Sequence, residues 1–223
     1  MRTKFLNLLF IMAVTTSLVN CKKKADEAST SDAETVAVAE STAVEYTADA
    51  SQSSIEWKGS KPTGTHNGTI NIENGTLEVQ DGIIQSGAFL IDMSSITVLD
   101  MEGEYKDKLE NHLKGTVEGK EDHFFDVNKF PSAAFEVTGS ETIKGKTNLS
   151  GNLTIKGIKN NITFPVTVSN EGDVFTLTSD TFTIDRTKWN INYGSKSIFD
   201  DLGDSFVNDE VDLKIIVVAN KKA

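Results

Sequence analysis

Cysteine occurs once in the 223 residues, tryptophan twice, and proline and histidine three times each. A single cysteine excludes an internal disulfide framework, so Cys21 needs another explanation. The three histidines, His66, His112 and His123, show no paired spacing such as H-x-x-x-H, and nothing local supports a metal site. No serine sits in a G-x-S-x-G elbow, and no glycine run continues as Gly-Lys-Ser/Thr into a helix. No catalytic residue, metal or cofactor is therefore expected, and the chain reads as a non-enzyme. Positive charge is also scarce: 22 Lys and Arg against 33 Asp and Glu leave a net charge of −11. Such a chain is repelled by nucleic acid and by anionic lipid surfaces. The one extended apolar run, "FLNLLFIMAVTTSLV", lies at the N-terminus and is too short for a stable membrane span.

That run follows Arg2 and Lys4 and ends at "SLVNC", the pattern of a signal peptide over residues 1–20. Leu18-x-x-Cys21 after such a run resembles a bacterial lipoprotein signal, in which the chain is cut before the cysteine and the thiol is lipidated. Asn20 stands where that class usually has a small residue. The expectation is a lipidated Cys21 and a membrane anchor in the bacterial cell envelope, on the periplasmic face of a membrane or in the outer membrane. A plain secretory peptide with an incidental cysteine is the alternative. Cleavage would remove two basic residues and no acidic ones, moving the charge from −11 to −13. Attachment would then rest on acyl chains, and more than one is needed. Residues 22–45 contain no Phe, Trp, Leu or Ile, too little apolar surface to offset the entropy of ordering. The segment 21–47 reads as the lipidated cysteine and a disordered tether reaching roughly 30 Å.

From about residue 48 to 223 the texture is that of one all-β domain. Alternating stretches such as "SIEWK", "TINIENG", "TLEVQDG" and "GAFLIDM" are punctuated by Asn74-Gly75 and Asp81-Gly82, dipeptides suited to tight hairpins. Lys144-Gly145 and Glu171-Gly172 mark later turns, and about eight or nine strands result. "EGEYKDKLENHLKG" places Tyr105, Leu109 and His112 or Leu113 at helical spacing, with Gly115 as the stop. "SKSIFDDLGDSF" reads as a second short helical turn. Phe89, Ile91 and Met93 share one strand face; so do Phe135 and Val137, Leu153 and Ile155, Ile162 and Phe164, Phe182 and Ile184. The opposite positions are mostly polar. One dry and one wet face indicates an antiparallel sheet closed on itself, filled by side chains or holding one small apolar ligand.

The stretch "WKGSKPTGTHNG" (57–68) reads as a strand-to-strand corner at the barrel mouth, with Trp57 buried and His66 offering a hydrogen bond nearby. Arg186 closes an apolar strand in "TIDRTKWN". Its guanidinium either grips a ligand oxygen or pairs with Asp185, Asp200 or Asp201 to pin a loop. Trp189 reads as a barrel plug. Phe124, Phe125 and Phe130 around Pro131 cap one end or gate it for a lipid tail.

The phrases "SSIEWKGSKPTGTHNGTINIENGTLEV", "FLIDMSSI", "HFFDVNKFPSAAFEV", "LSGNLTIKGIKNNITFPV" and "FTIDRTKWNINYGS" together resemble the YceI-like family over about residues 48–220. The resemblance implies an extended, eight-stranded antiparallel, lipocalin-like β-barrel with one or two short helices. It also implies a long isoprenoid lipid, such as an isoprenoid quinone or its precursor, held inside for carriage or storage, and barrels that can pair as homodimers. Segment 103–123 is longer than the family's usual link, which implies an altered mouth or lid. The candidate lipid contacts are Trp57, His66, Phe89, Ile91, Met93, Phe125, Phe135, Ile155, Phe164, Phe182, Arg186 and Trp189. The competing reading is an envelope lipoprotein with a filled barrel and no ligand, working through its acidic surface.

Overall fold

The computed structural model describes residues 25–143 and 146–222. The signal segment, Cys21 and the expected Lys144-Gly145 turn lie outside the described residues. In chain order the elements are β1 (Asp26–Glu27), β2 (Ser29–Asp32), β3 (Val44–Ala48), β4 (Ser54–Lys61), β5 (Gly64–Gln80), β6 (Ile83–Val98), helix α1 (Gly103–Lys114), β7 (Ser132–Ile143), β8 (Lys146–Ile155), β9 (Ile158–Glu171), β10 (Val174–Ser179), β11 (Phe182–Asp185) and β12 (Glu210–Lys221). Two short 3-10 turns, Arg186–Trp189 and Gly203–Ser205, separate the last two strands.

Eight strands close a ring, β4-β5-β6-β7-β8-β9-β10-β12 and back to β4, each antiparallel to the next. Closure removes the unpaired edges that an open sheet would expose. β3 lies end to end with β4 between β5 and β12, and β11 continues the line of β10 along β12. The inward faces carry the expected stripes: Ile70 and Ile72 on β5, Ile91 and Met93 on β6, Phe135 and Val137 on β7, Phe175 and Leu177 on β10 are all buried.

Turn chemistry explains most corners. Asp81 and Gly82 take φ of 52° and 78°, the paired left-handed geometry of a tight hairpin, and Gly172 takes 66° after β9. Asn74-Gly75 departs from expectation: it lies within the 17-residue β5, beside a register shift between Ile72 and Asn74. Gly75 is needed there for space, because a Cβ would sit 2.2 Å from the Phe89 ring on the neighbouring strand. The helix fulfils its pattern in part. Gly115 caps it at φ 71°, and Leu109, His112 and Leu113 face the barrel, but Tyr105 is 72 % exposed.

The expected tether does not hold for the described part of 22–45. Beyond Pro165, which has no N–H to donate, β9 parts from the β10–β11 line, and the chain's own N-terminal segment fills the gap. β1 pairs in parallel with β11, β2 pairs with β9, and Ala28 between them is buried and donates its N–H to the Thr183 carbonyl. The segment then crosses the outer wall. The Asn152 side chain bonds both the N–H and the carbonyl of Glu34, at 2.9 and 2.7 Å, and Ala37 donates to the Val137 carbonyl, at 2.9 Å. Backbone pairing and two outward-facing, buried asparagines, Asn152 and Asn161, hold a strap that has almost no apolar surface of its own.

Candidate functional site

The barrel is filled at one end and hollow at the other. Leu77, Val137, Leu149, Phe175, Leu177 and Val217, each at most 2 % exposed, pack the end that carries the 80–83 and 171–174 turns. At the other end lies a cavity of about 380 Å³. Its walls are Ile55, Ile70, Ile91, Met93 and Ile96 on one side and Ile155, Ile162, Ile184, Leu213 and Ile215 on the other. Phe135 and Phe182 form the floor, backed by Phe164, which stacks on Phe182 at a centroid distance of 4.4 Å. Polar side chains gather at the rim: Ser60, Lys61 and His66 from the β4–β5 hairpin, with Ser205 and Asn208 from the loop before β12.

Ten of the twelve expected contacts line this cavity: Trp57, His66, Ile91, Met93, Phe125, Phe135, Ile155, Phe182, Arg186 and Trp189. Phe89 and Phe164 do not reach it. Both sit in the packed core, Phe89 across Gly75 and Phe164 behind the floor. Trp189 is fully buried and donates Nε1–H to the Leu153 carbonyl at 2.9 Å, which suits the plug expected of it. The corner expected at 57–68 is the β4–β5 hairpin, whose Trp57 ring lies across Gly68. His66 pairs with Asp100, Nδ1 to Oδ2 at 3.0 Å. Partial burial alone would raise the Asp100 carboxyl, but the Asn67 N–H and His66 hold it below the usual carboxylate range.

Arg186 is a correction. Its guanidinium is 4 % exposed and donates to the carbonyls of Asn208 (3.1 Å), Ile191 (2.5 Å) and Val207 (3.0 Å), and to Asp209 Oδ1 (3.4 Å). These bonds pin the loop before β12, and the carboxylate partner is Asp209 rather than Asp185, Asp200 or Asp201. Burial pushes the guanidinium below its ordinary value, opposed by Asp209 and Asp185. With its donors turned to the loop, the side chain contributes its apolar stem to the cavity.

The mouth holds what sequence reasoning missed. His112 on α1 and His123 share a hydrogen bond, Nε2 to Nδ1 at 2.8 Å. Tyr193 stacks on His123 at 4.2 Å, and Phe124 meets the His112 ring edge-on at 5.1 Å. Burial, then His123 and Lys120, hold His112 below the ordinary histidine value. The 103–123 segment thus lies over the mouth of the cavity, which Leu109, His112 and Leu113 line. Ile191 and Tyr193 alternate in "NINYGS", a signal for two further lining residues, but nothing in spacing showed that two histidines eleven apart would meet. Among the described residues no group of three or more His, Cys, Asp or Glu could hold a metal.

Comparison with known proteins follows the same outline. The family model described as a YceI-like domain matches residues 46–219. Among solved structures, Burkholderia cenocepacia BcnA is similar at 25 % identity with a TM-score of 0.61, over 78 % of this chain and 99 % of that one. A polyisoprenoid binding domain from Saccharophagus degradans, implicated in plant cell wall breakdown, shares the fold at 13 % identity with a TM-score of 0.57, over 80 % of this chain and 99 % of that one. No curated protein matches the chain.

Proposed function

The chain belongs to the YceI-like domain family, and from that premise we propose that its hollow end binds an apolar, chain-like lipid of the isoprenoid type. The observation that carries this is the cavity: about 380 Å³, walled mainly by aliphatic and aromatic side chains, with few polar groups below its rim. A hydrocarbon chain gains about 0.8 kcal/mol for each methylene taken out of water, so area drives binding and few polar contacts are needed. That the similarly folded Saccharophagus domain is a polyisoprenoid binding domain supports the ligand class. A cavity near the lower end of the roughly 300–1,000 Å³ usual for ligand sites encloses only a short stretch of chain. A longer tail projects past Phe124 and Phe125 at the mouth.

The proposal includes lipidation of Cys21, which makes the protein an envelope lipoprotein carrying or storing lipid, without catalysis and with pairing of two copies. The pattern Leu18-x-x-Cys21 after an apolar run supports the anchor. The hollow end weighs against a scaffold with a filled barrel. Native mass spectrometry of protein purified without added ligand tests the central claim. A bound species with an isoprenoid mass ladder is expected. Protein that carries none and takes up no prenyl lipid from detergent sinks the proposal.

A further inference from the structure

Among the described residues that line the cavity, one buried polar side-chain atom has no partner. Trp57 points inward from β4, and its Nε1–H is buried without an acceptor. The other polar side chains below the rim are committed: Trp189 to the Leu153 carbonyl, Arg186 to its loop carbonyls and Asp209, His112 to His123. His66, two residue pairs nearer the hairpin turn, is held by Asp100. A buried N–H left unpaired costs free energy comparable to a lost hydrogen bond, so native structures rarely keep one idle. The placement of this donor is built in. Trp57 pairs across the strands with Gly68, where a Cβ would lie 1.8 Å from the Thr97 carbonyl oxygen and 2.8 Å from Trp57 Cε2, so glycine keeps clear both the neighbouring strand and the space the ring lies in. Four residues of strand, about 13 Å, separate Trp57 from Lys61 at the rim.

We infer that Trp57 Nε1–H is the headgroup donor of the site and selects apolar chains that end in an uncharged oxygen acceptor: a ketone, quinone, ether or alcohol. This rests on the lipid-binding reading of the cavity. The charge of the headgroup follows from the surroundings. Among the described residues, the Lys and Arg side chains lining the cavity are Lys61, at the rim, and Arg186, whose donors turn to the loop, so burying an unpaired carboxylate or phosphate at Trp57 is strongly unfavourable. A neutral oxygen accepts one hydrogen bond from Trp57 and leaves the tail against Phe135 and Phe182. The donor therefore sets orientation by holding the oxygen end of the chain inside the cavity, at Trp57.

The test compares farnesylacetone with the hydrocarbon in which a methylene replaces its carbonyl, in competition with a cavity-bound fluorescent dye on the full chain. Wild-type protein is expected to bind the ketone about tenfold tighter, and Trp57→Phe to bind both at the hydrocarbon's affinity. Equal affinities in wild type, or a tenfold preference that survives in Trp57→Phe, overturn the inference while leaving the lipid site intact. Binding of neither compound overturns the lipid reading and this inference with it. Should Trp57→Phe fail to fold, 15N-labelled wild type gives the same answer. The Trp57 indole N–H resonance shifts downfield with the ketone and stays with the hydrocarbon; an unmoved resonance in both overturns the assignment.

Discussion

The two ends of this barrel are built from the same kind of strand, yet one is solid and the other hollow. Phe175, Leu177 and Val217 interlock at the solid end, while Ile55, Ile91 and Ile215 face empty space at the other. Close packing contributes dispersion energy and hydrophobic burial together, whereas a cavity wall forgoes part of both. The solid end thus stabilises the ring and leaves the other end free to stay open. The lid of α1 and the Arg186-pinned loop hold that open end in shape by hydrogen bonds and ring contacts rather than by a filled core.

Replacing side chains at each end should break this contrast in opposite ways. The largest effect is expected from Phe175→Ala at the solid end, a loss of about 3–5 kcal/mol in denaturant titration. Prenyl-lipid affinity should stay unchanged under conditions where the variant is folded. A cost below about 1 kcal/mol would mean that the solid end is not the stabilising one. Next come two matched enlargements. Ala219→Leu at the solid end, where Ala219 is opposite Phe175, should cost about 1–3 kcal/mol through overpacking. Ala133→Leu in the cavity wall should cost clearly less and weaken lipid binding. Equal costs at the two positions would erase the distinction.

The smallest effect concerns acid. His112 sits below its ordinary value in the folded protein, so between that value and about 6.5 the unfolded chain binds more protons. Stability is full above about pH 6.5 and falls as pH drops toward the folded-state value. The groups facing the pair are Lys120, which disfavours a charged His112, and Glu121 and Tyr193 beside His123. Thermal unfolding from pH 7.5 to 5.5 should show a modest decline that His112→Asn removes. A flat wild-type profile would show that the lid does not feel its histidines.

Much of the ring was legible in the residues, because period-two alternation reports which face a side chain takes. It does not report depth along the barrel. Phe89 and Ile91 share a face, yet only Ile91 reaches the cavity, since depth depends on strand register and on the shift between Ile72 and Asn74. Asn74-Gly75 carried a turn signal because glycine suits turns, but here glycine makes room for a ring. Polar composition argued for an unpaired N-terminal segment. Backbone groups pair whatever the side chains, and the gap beyond Pro165 supplied unmet partners. Arg186 was visible as a candidate, but which carboxylate it meets is decided by the fold of the loop at 207–209.

The strap has a consequence for self-association. The family-matched stretch begins at residue 46, whereas the wall is completed only by residues 26–32. A chain starting at 46 would bare the backbone of Asn160–Thr163 and Phe182–Thr183 as two raw edges, templates for any extended segment. Such a chain should stick to its own copies, and a peptide of residues 25–37 added back should cure it by sealing the seam.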